Sequence, residues 1–377
     1  MSFTIGLALV EAGLRIVEKY QSAEKIAAPI IDDPVLGFRM TPNAPGHDAN
    51  GYRNTTVPTQ ADIVAIGDSQ TWGVNVAAND AWPQQLERLS GQKVYNMAVG
   101  GYGPVQYWQL ADQAMALHPK VVVVGLYFGN DLYDAYALAY SNARYTELRT
   151  HNSTSDLSTD TIKATSQAYW DEEKDFHNSY GRNSLSGLSF WVREHSAIGR
   201  LLNRDGLWPG ATDVDFEIDR EWVKEHPDHG AICDDGEIRT VFTTAYRRTA
   251  LDPSDPRINE GERITKEALS RIQRIVAGKG AKLVVLLIPT KESVYTRQML
   301  GASTQNAAYQ SLVGFETKAR NDILTWCSNE GVNCVDALPR LQEALAQHQP
   351  LYPTSTESHP IARGYEVFAS TVNDALK

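Results

Sequence analysis

Apolar residues along this chain gather in short unbroken runs rather than in strict alternation. Ile63-Val64-Ala65-Ile66 and Val121-Val122-Val123-Val124 are the clearest of them. Short runs bounded by turn residues, and here rich in β-branched types, predict strands buried on both faces. The pattern gives strands at 62–66, 93–98, 120–128, 282–288 and 332–336. Helical stretches are expected at 81–90, 104–117, 261–278, 307–329 and 360–376. Strands alternating with helices predict an α/β fold with a parallel sheet covered on both sides.

This core starts at Ala61. Before it, residues 1–60 read as a helix and then an extended arm carrying Pro34, Pro42, Pro45 and Pro58. Between Leu132 and Glu260 the pattern breaks. Asn142 to Asp175 is polar, and Ser184 to Asn203 predicts an amphipathic helix. A stretch this long in a compact fold is functional or carries structure of its own. The chain therefore divides into an arm (1–60) and a main domain (61–377) with an insertion at about 140–260. Because the insertion leaves the core directly after a strand end, it is expected to cap the site. The alternative is a decoration far from it.

The strand ends carry the candidate chemistry. Gly67-Asp68-Ser69 follows the first strand and leads into Gln70-Thr71-Trp72-Gly73. Open α/β sheets bind ligands at this carboxyl edge, and a serine there can face solvent with its N–H free. Asp68 reads as a turn and helix-cap group. Asn96-Met97-Ala98-Val99-Gly100-Gly101-Tyr102-Gly103 follows the second strand, with glycines that let backbone N–H groups approach a reacting atom. Gly129-Asn130-Asp131 follows the third. Asn130 offers an amide donor, and Asp131 is expected to fix loops. His359 stands shortly before the last helix and suits a general base.

These four blocks resemble the SGNH (GDSL-type) hydrolase family, named for a serine, a glycine, an asparagine and a histidine in separated motifs. The likeness covers roughly residues 61–140 and 261–377. It implies a flavodoxin-like three-layer α/β/α sandwich with a five-stranded parallel sheet in the order 2-1-3-4-5. It also implies acyl-ester chemistry without metal or organic cofactor. Ser69 would be the nucleophile and His359 the base. The N–H groups of Ser69 and Gly101 and the side chain of Asn130 would form an oxyanion hole. One position departs from the pattern. The family carries aspartate two or three residues before the histidine, where this chain has Glu357 and Thr356. Glu357 is taken as the orienting acid; otherwise His359 leans on a backbone carbonyl. Trp72 and Tyr102 are expected to line the acyl or sugar pocket. Lys291 and Glu292 read as a salt-bridged loop anchor, in a Pro-x-Lys-Glu sequence that relatives share.

Composition narrows the class. A formal charge of −11 argues against a nucleic-acid partner. No Walker sequence and no G-x-G-x-x-G is present, which leaves no nucleotide cofactor to expect. His226-Pro227-Asp228-His229 with Cys233, Asp234 and Asp235 has metal-ligating types at no metal-site spacing, so no metal is expected. Cys327 and Cys334 are read as free thiols in preference to a bridge. Leu7, Val10, Leu14 and Val17 form one helical stripe, which is either an amphipathic helix or the end of a membrane anchor. An extracytoplasmic setting is slightly favoured over a cytoplasmic one. The functional expectation is a serine-dependent acyl-ester hydrolase acting on a small-molecule or carbohydrate ester, such as a carbohydrate O-acetylesterase. The alternatives are an O-acyltransferase acting on an extracytoplasmic polysaccharide and a non-catalytic binding module.

Overall fold

The computed structural model describes Glu11 and residues 29–150, 167–176, 179, 214–299 and 306–377. The Leu7–Val17 stripe and the helix expected at 184–203 lie outside the described residues.

An antiparallel hairpin, β1 (Ile30–Asp33) and β2 (Gly37–Met40), opens the arm. The core sheet is built from β3 (Ile63–Ile66), β4 (Val94–Asn96), β5 (Val121–Tyr127), β8 (Lys282–Ile288) and β9 (Asn333–Asp336). Its strands are all parallel and run in the order β4-β3-β5-β8-β9. This is the 2-1-3-4-5 order of a flavodoxin-like sheet. The order reverses at β3, so the ends of β3 and β5 flank a crevice.

Strand alternation divides the core between two layers. Val64, Ile66, Val122, Val124, Val285 and Leu287 face one side. There they meet helices α3 (Pro104–Met115), α7 (Pro256–Gly278) and α8 (Ala307–Glu330). Ile63, Ala65, Val123, Leu286 and Ile288 face the other, against α2 (Trp82–Ser90), α9 (Leu338–Ala346) and α10 (Ala362–Ala375). Burial on both sides is why β3 and β5 read as unbroken apolar runs. Two short or polar helices also belong to the core, α1 (Ser69–Trp72) and α4 (Asp131–Ser141).

Several boundaries differ from expectation. Helix α4 occupies a stretch that periodicity left unassigned. Its buried residues, Leu132, Ala135, Tyr136, Ala139 and Tyr140, follow helical spacing, but alanine and tyrosine dilute the apolar signal. The insertion has structure of its own. It contains a helical segment at 167–176 within the polar stretch, α5 (Val214–Glu225), the hairpin β6 (Ala231–Asp234) and β7 (Arg239–Phe242), and α6 (Thr244–Arg248). Cys327 and Cys334 are bonded, not free. Gly331 ends α8 at φ 68°, turns the chain straight into β9 and brings the two Cα atoms to 6.1 Å. Among the described residues no helix is long and apolar enough to cross a membrane.

Helix α4 is set by a backbone-to-backbone approach. A Cβ placed on Gly261 of α7 would lie 1.8 Å from the Leu132 carbonyl oxygen. Gly261→Ala is therefore expected to push α4 away and to cost about 1–3 kcal/mol, read by urea denaturation.

Candidate active site

The turn that carries Ser69 is fixed by small groups and one cap. A Cβ on Gly67 would fall 2.1 Å from Thr71 Oγ1, so only glycine lets the chain leave β3 this tightly. Asp68 caps the turn, accepting from the Gln70 N–H at 2.9 Å. Its other oxygen accepts from the Ser69 hydroxyl at 3.4 Å, and burial pushes its carboxyl up to about 6 against the Gln70 bond and the charge of His359. Ser69 then starts α1, with its side chain half-buried and its hydroxyl in reach of the crevice.

His359 reaches this serine from the far end of the chain. Its Nε2 lies 2.9 Å from Ser69 Oγ. Its Nδ1 donates to Glu357 Oε1 at 2.6 Å, and the same oxygen accepts the His359 backbone N–H at 2.9 Å. The imidazole thus leans on the glutamate, not on a carbonyl. The extra methylene is absorbed because the side chain curls back onto its own loop. Burial opposes the Glu357 charge, but the hydrogen bonds and charge of His359, with the Lys291 ammonium, hold its pKa down to about 2.

Two other segments meet the serine. The Gly100–Gly101 turn lies against it, since a Cβ on Gly100 would stand 3.7 Å from Ser69 Cβ. Gly101 itself sits at φ 83°, a conformation that favours glycine. Among the described residues, no hydrogen-bond acceptor meets the backbone N–H of Ser69 or of Gly101. Asn130 follows β5, and its amide donates to the Asp134 carboxylate, which leaves the amide's second N–H for another partner. Burial drives Asp134 up to about 7, helped by the field of Asp68 and opposed by the Asn130 bond. Asp131 is fully buried and pins the loop, accepting from Tyr127 N–H at 2.9 Å and Tyr107 Oη–H at 3.0 Å. Burial again raises its pKa well above the usual range.

The loop carrying Glu357 and His359 has no regular structure between α9 and α10. Lys291 holds it. Its buried ammonium donates to the carbonyls of Pro353 (3.1 Å), Ser355 (2.6 Å) and Glu357 (3.1 Å), and to that of Val241 in β7 (3.2 Å). Lys291 is thus a loop anchor as expected, but it holds the loop through carbonyls and not through a salt bridge. Burial lowers its pKa to about 8 despite neighbouring carboxylates. Asp219 accepts from Thr356 N–H at 2.8 Å, and the Thr356 hydroxyl bonds Glu173 at 2.5 Å. Neither contact has a signal in the sequence.

Trp72 and Tyr102 sit elsewhere than expected. Trp72 is 5% exposed and lies under the Arg53 guanidinium, 4.0 Å from its ring centroid. Tyr102 is 1% exposed and donates to the Phe38 carbonyl at 2.8 Å. Both turn towards the arm, whose packing no local pattern reveals. The cavity beside His359 has a volume of about 390 Å³ and is walled instead by Asn130, Tyr133, Trp170, Tyr246, Arg247 and Thr356. Trp170, Tyr246 and Arg247 belong to the insertion. Elsewhere in the insertion, His226 and His229 converge on Glu172 (3.5 and 2.8 Å), while Cys233 is buried. Among the described residues no group of three or more His, Cys, Asp or Glu side chains could hold a metal.

No family model and no curated protein matches the chain. Solved structures do overlap with it. An extracellular lipase from Streptomyces rimosus is 12% identical at a TM-score of 0.39, over 84% of this chain and 99% of that one. A member of the lipolytic protein G-D-S-L family from Veillonella parvula is 9% identical at 0.36, over 83% and 96%. A GDSL-like lipase from Bacteroides thetaiotaomicron is 8% identical at 0.33, over 83% and 86%. Overlap at this level says nothing about substrate.

The low pKa of Glu357 has a pH consequence. A carboxylate held below its unfolded value adds stability that is complete above the unfolded pKa and is lost as pH falls towards the folded one. The difference in Tm between wild type and Glu357→Gln is expected to be full at about pH 6 and to shrink by about pH 3. Thermal melts across that window measure it.

Proposed function

We propose that this protein is a serine-dependent acyl-ester hydrolase of the SGNH type, working through an acyl-enzyme on Ser69. The observation that carries the reading is the chain of contacts Glu357 Oε1–His359 Nδ1 (2.6 Å) and His359 Nε2–Ser69 Oγ (2.9 Å). With Nδ1–H donating to the carboxylate, Nε2 is left as an acceptor facing the hydroxyl.

In the first step Ser69 Oγ attacks the ester carbonyl and passes its proton to His359 Nε2. Negative charge moves to the carbonyl oxygen. The N–H groups of Ser69 and Gly101 and the amide of Asn130 are the donors proposed to receive it. The carbonyl re-forms, the C–O bond to the alcohol breaks, and Nε2–H protonates the departing oxygen. Water then attacks the acyl-enzyme, giving its proton to Nε2, and the acid leaves as Ser69 recovers its hydrogen. Glu357 stays ionised throughout and stabilises the imidazolium.

The cavity wall supports an alcohol portion rich in hydroxyl groups. Trp170 is half-exposed and Tyr246 lies beside it, with ring centroids 6.3 Å apart. Amide and hydroxyl groups of Asn130, Gln167, Thr243 and Thr356 line the same space. Flat aromatic faces flanked by hydrogen-bonding groups suit a sugar ring, so a carbohydrate ester is the substrate favoured. Transfer to a sugar hydroxyl uses the same residues, with the acceptor in place of water. A disulfide between Cys327 and Cys334 accords with an oxidising compartment.

A fluorophosphonate probe is expected to label Ser69 in the wild type and nothing in Ser69→Ala, as read by peptide mass spectrometry. Labelling unchanged in the variant would reject the assignment. Asn130→Ala is expected to lose about 10²–10³-fold in kcat on p-nitrophenyl acetate, the usual loss for one oxyanion donor. Product analysis with an added sugar acceptor separates hydrolysis from transfer.

A further inference from the structure

We infer that Arg247, supplied by the insertion, is a positioning residue that locks the Asn130 loop and the His359 loop into one register. The inference rests on the serine-hydrolase reading above. The parts of that site stand on separate segments. Ser69 is fixed by the end of β3, Asn130 follows β5 by way of Gly129, and His359 sits on an irregular loop. Attack on an ester tolerates little error between such parts, and a displacement of about 1 Å can cost about 10²-fold in rate.

Arg247 touches the residue next to each moving part. Its Nη2 donates to the Ser358 hydroxyl, between Glu357 and His359. Its Nη1 reaches the carbonyl of Gly129, the residue before Asn130, at 3.4 Å. The side chain is 8% exposed, and its guanidinium lies 4.8 Å from the Tyr246 ring centroid and 5.6 Å from that of Tyr127. Tyr127 closes β5, and a Cβ on Gly129 would strike its ring at 2.3 Å. The chain thus folds back over Tyr127, and the guanidinium lies against the same ring. A planar fork can aim two N–H groups along fixed directions; a lysine ammonium cannot replace it.

Other tethers act further along the base loop. Lys291 holds the carbonyls of residues 353, 355 and 357, and Asp219 and Glu173 hold Thr356. None of these contacts reaches Gly129. Because they remain when Arg247 is removed, the loop keeps its course but loses its link to the oxyanion side.

The test uses the full chain, p-nitrophenyl acetate and four variants: Arg247→Met, Arg247→Lys, Ser358→Ala and Ser69→Ala. Arg247→Met is expected to lose about 10²-fold in kcat, with KM changed less than about threefold. Millimolar guanidinium should restore much of that loss by entering the space left on the cavity wall, while methylammonium should not. Arg247→Lys should stay impaired. Ser358→Ala, which removes only the acceptor, should fold normally and lose about 3–10-fold in kcat, the worth of about one hydrogen bond. A loss confined to KM would make Arg247 a substrate contact and overturn the inference. So would an unchanged kcat, or a loss that tracks a lowered Tm and resists guanidinium. Failure of the underlying reading looks different: wild type and Ser69→Ala would then turn over the ester equally.

Discussion

One contact joins residues 290 positions apart: the Ser69 hydroxyl against His359 Nε2. Neither partner can find the other by local propensity. The serine is carried to the crevice by a central strand whose every residue is buried. The histidine arrives on a loop with no ladder or helix of its own. The sheet fixes one side of the contact rigidly, and the other side is held mostly by side chains, with a few backbone bonds such as Val241 N–H to the Thr354 carbonyl at 3.1 Å.

That holding is done with buried polar groups, which is an expensive way to fix a loop. An unpaired buried ammonium or carboxylate costs several kcal/mol, so each must be satisfied or neutralised. Lys291 meets this demand with four carbonyl oxygens and, among the described residues, stays out of any direct ion pair. Arg247 meets part of it with a hydroxyl, a carbonyl and two aromatic faces, while its buried Nε finds no acceptor among the described residues. The insertion supplies Arg247, Asp219 and Glu173, and one of the four carbonyls around Lys291. It is therefore part of the framework of the base loop as well as a wall of the cavity.

The Asn130 side of the crevice shows the opposite electrostatic problem. Asp68, Asp131 and Asp134 gather near the serine and Asn130, and burial raises the pKa of all three. Three ionised carboxylates there would oppose any negative charge developing on a bound carbonyl. Their raised pKa values reduce that opposition, and their hydrogen bonds fix the Gln70, Tyr127 and Asn130 groups they contact. Glu357 lies on the other side of the imidazole and is pulled the other way, to about 2. Environment rather than residue type separates the carboxyl whose pKa is pulled down from those whose pKa is pushed up.

The amino-acid sequence determined the parallel sheet and its helices, because a strand buried on both faces must be written as an unbroken apolar run. The strand order came only with the family likeness. The sequence also marked Ser69, Gly101 and Asn130, because each follows directly on a strand, and a strand end is a local feature. Helix α4, the pairing of Cys327 with Cys334 and the inward turn of Trp72 and Tyr102 were decided by the tertiary structure. The helix and the two aromatic side chains depend on packing between segments far apart in the chain, whereas the two cysteines, seven residues apart, are brought together by the turn at Gly331. Lys291 could be singled out in the sequence, but its carbonyl partners could not, since a carbonyl belongs to every residue and leaves no trace in composition. Arg247 had no signal at all. Its role exists only where two loops and one tyrosine ring meet, and that meeting is set by how the insertion folds back onto the sheet edge.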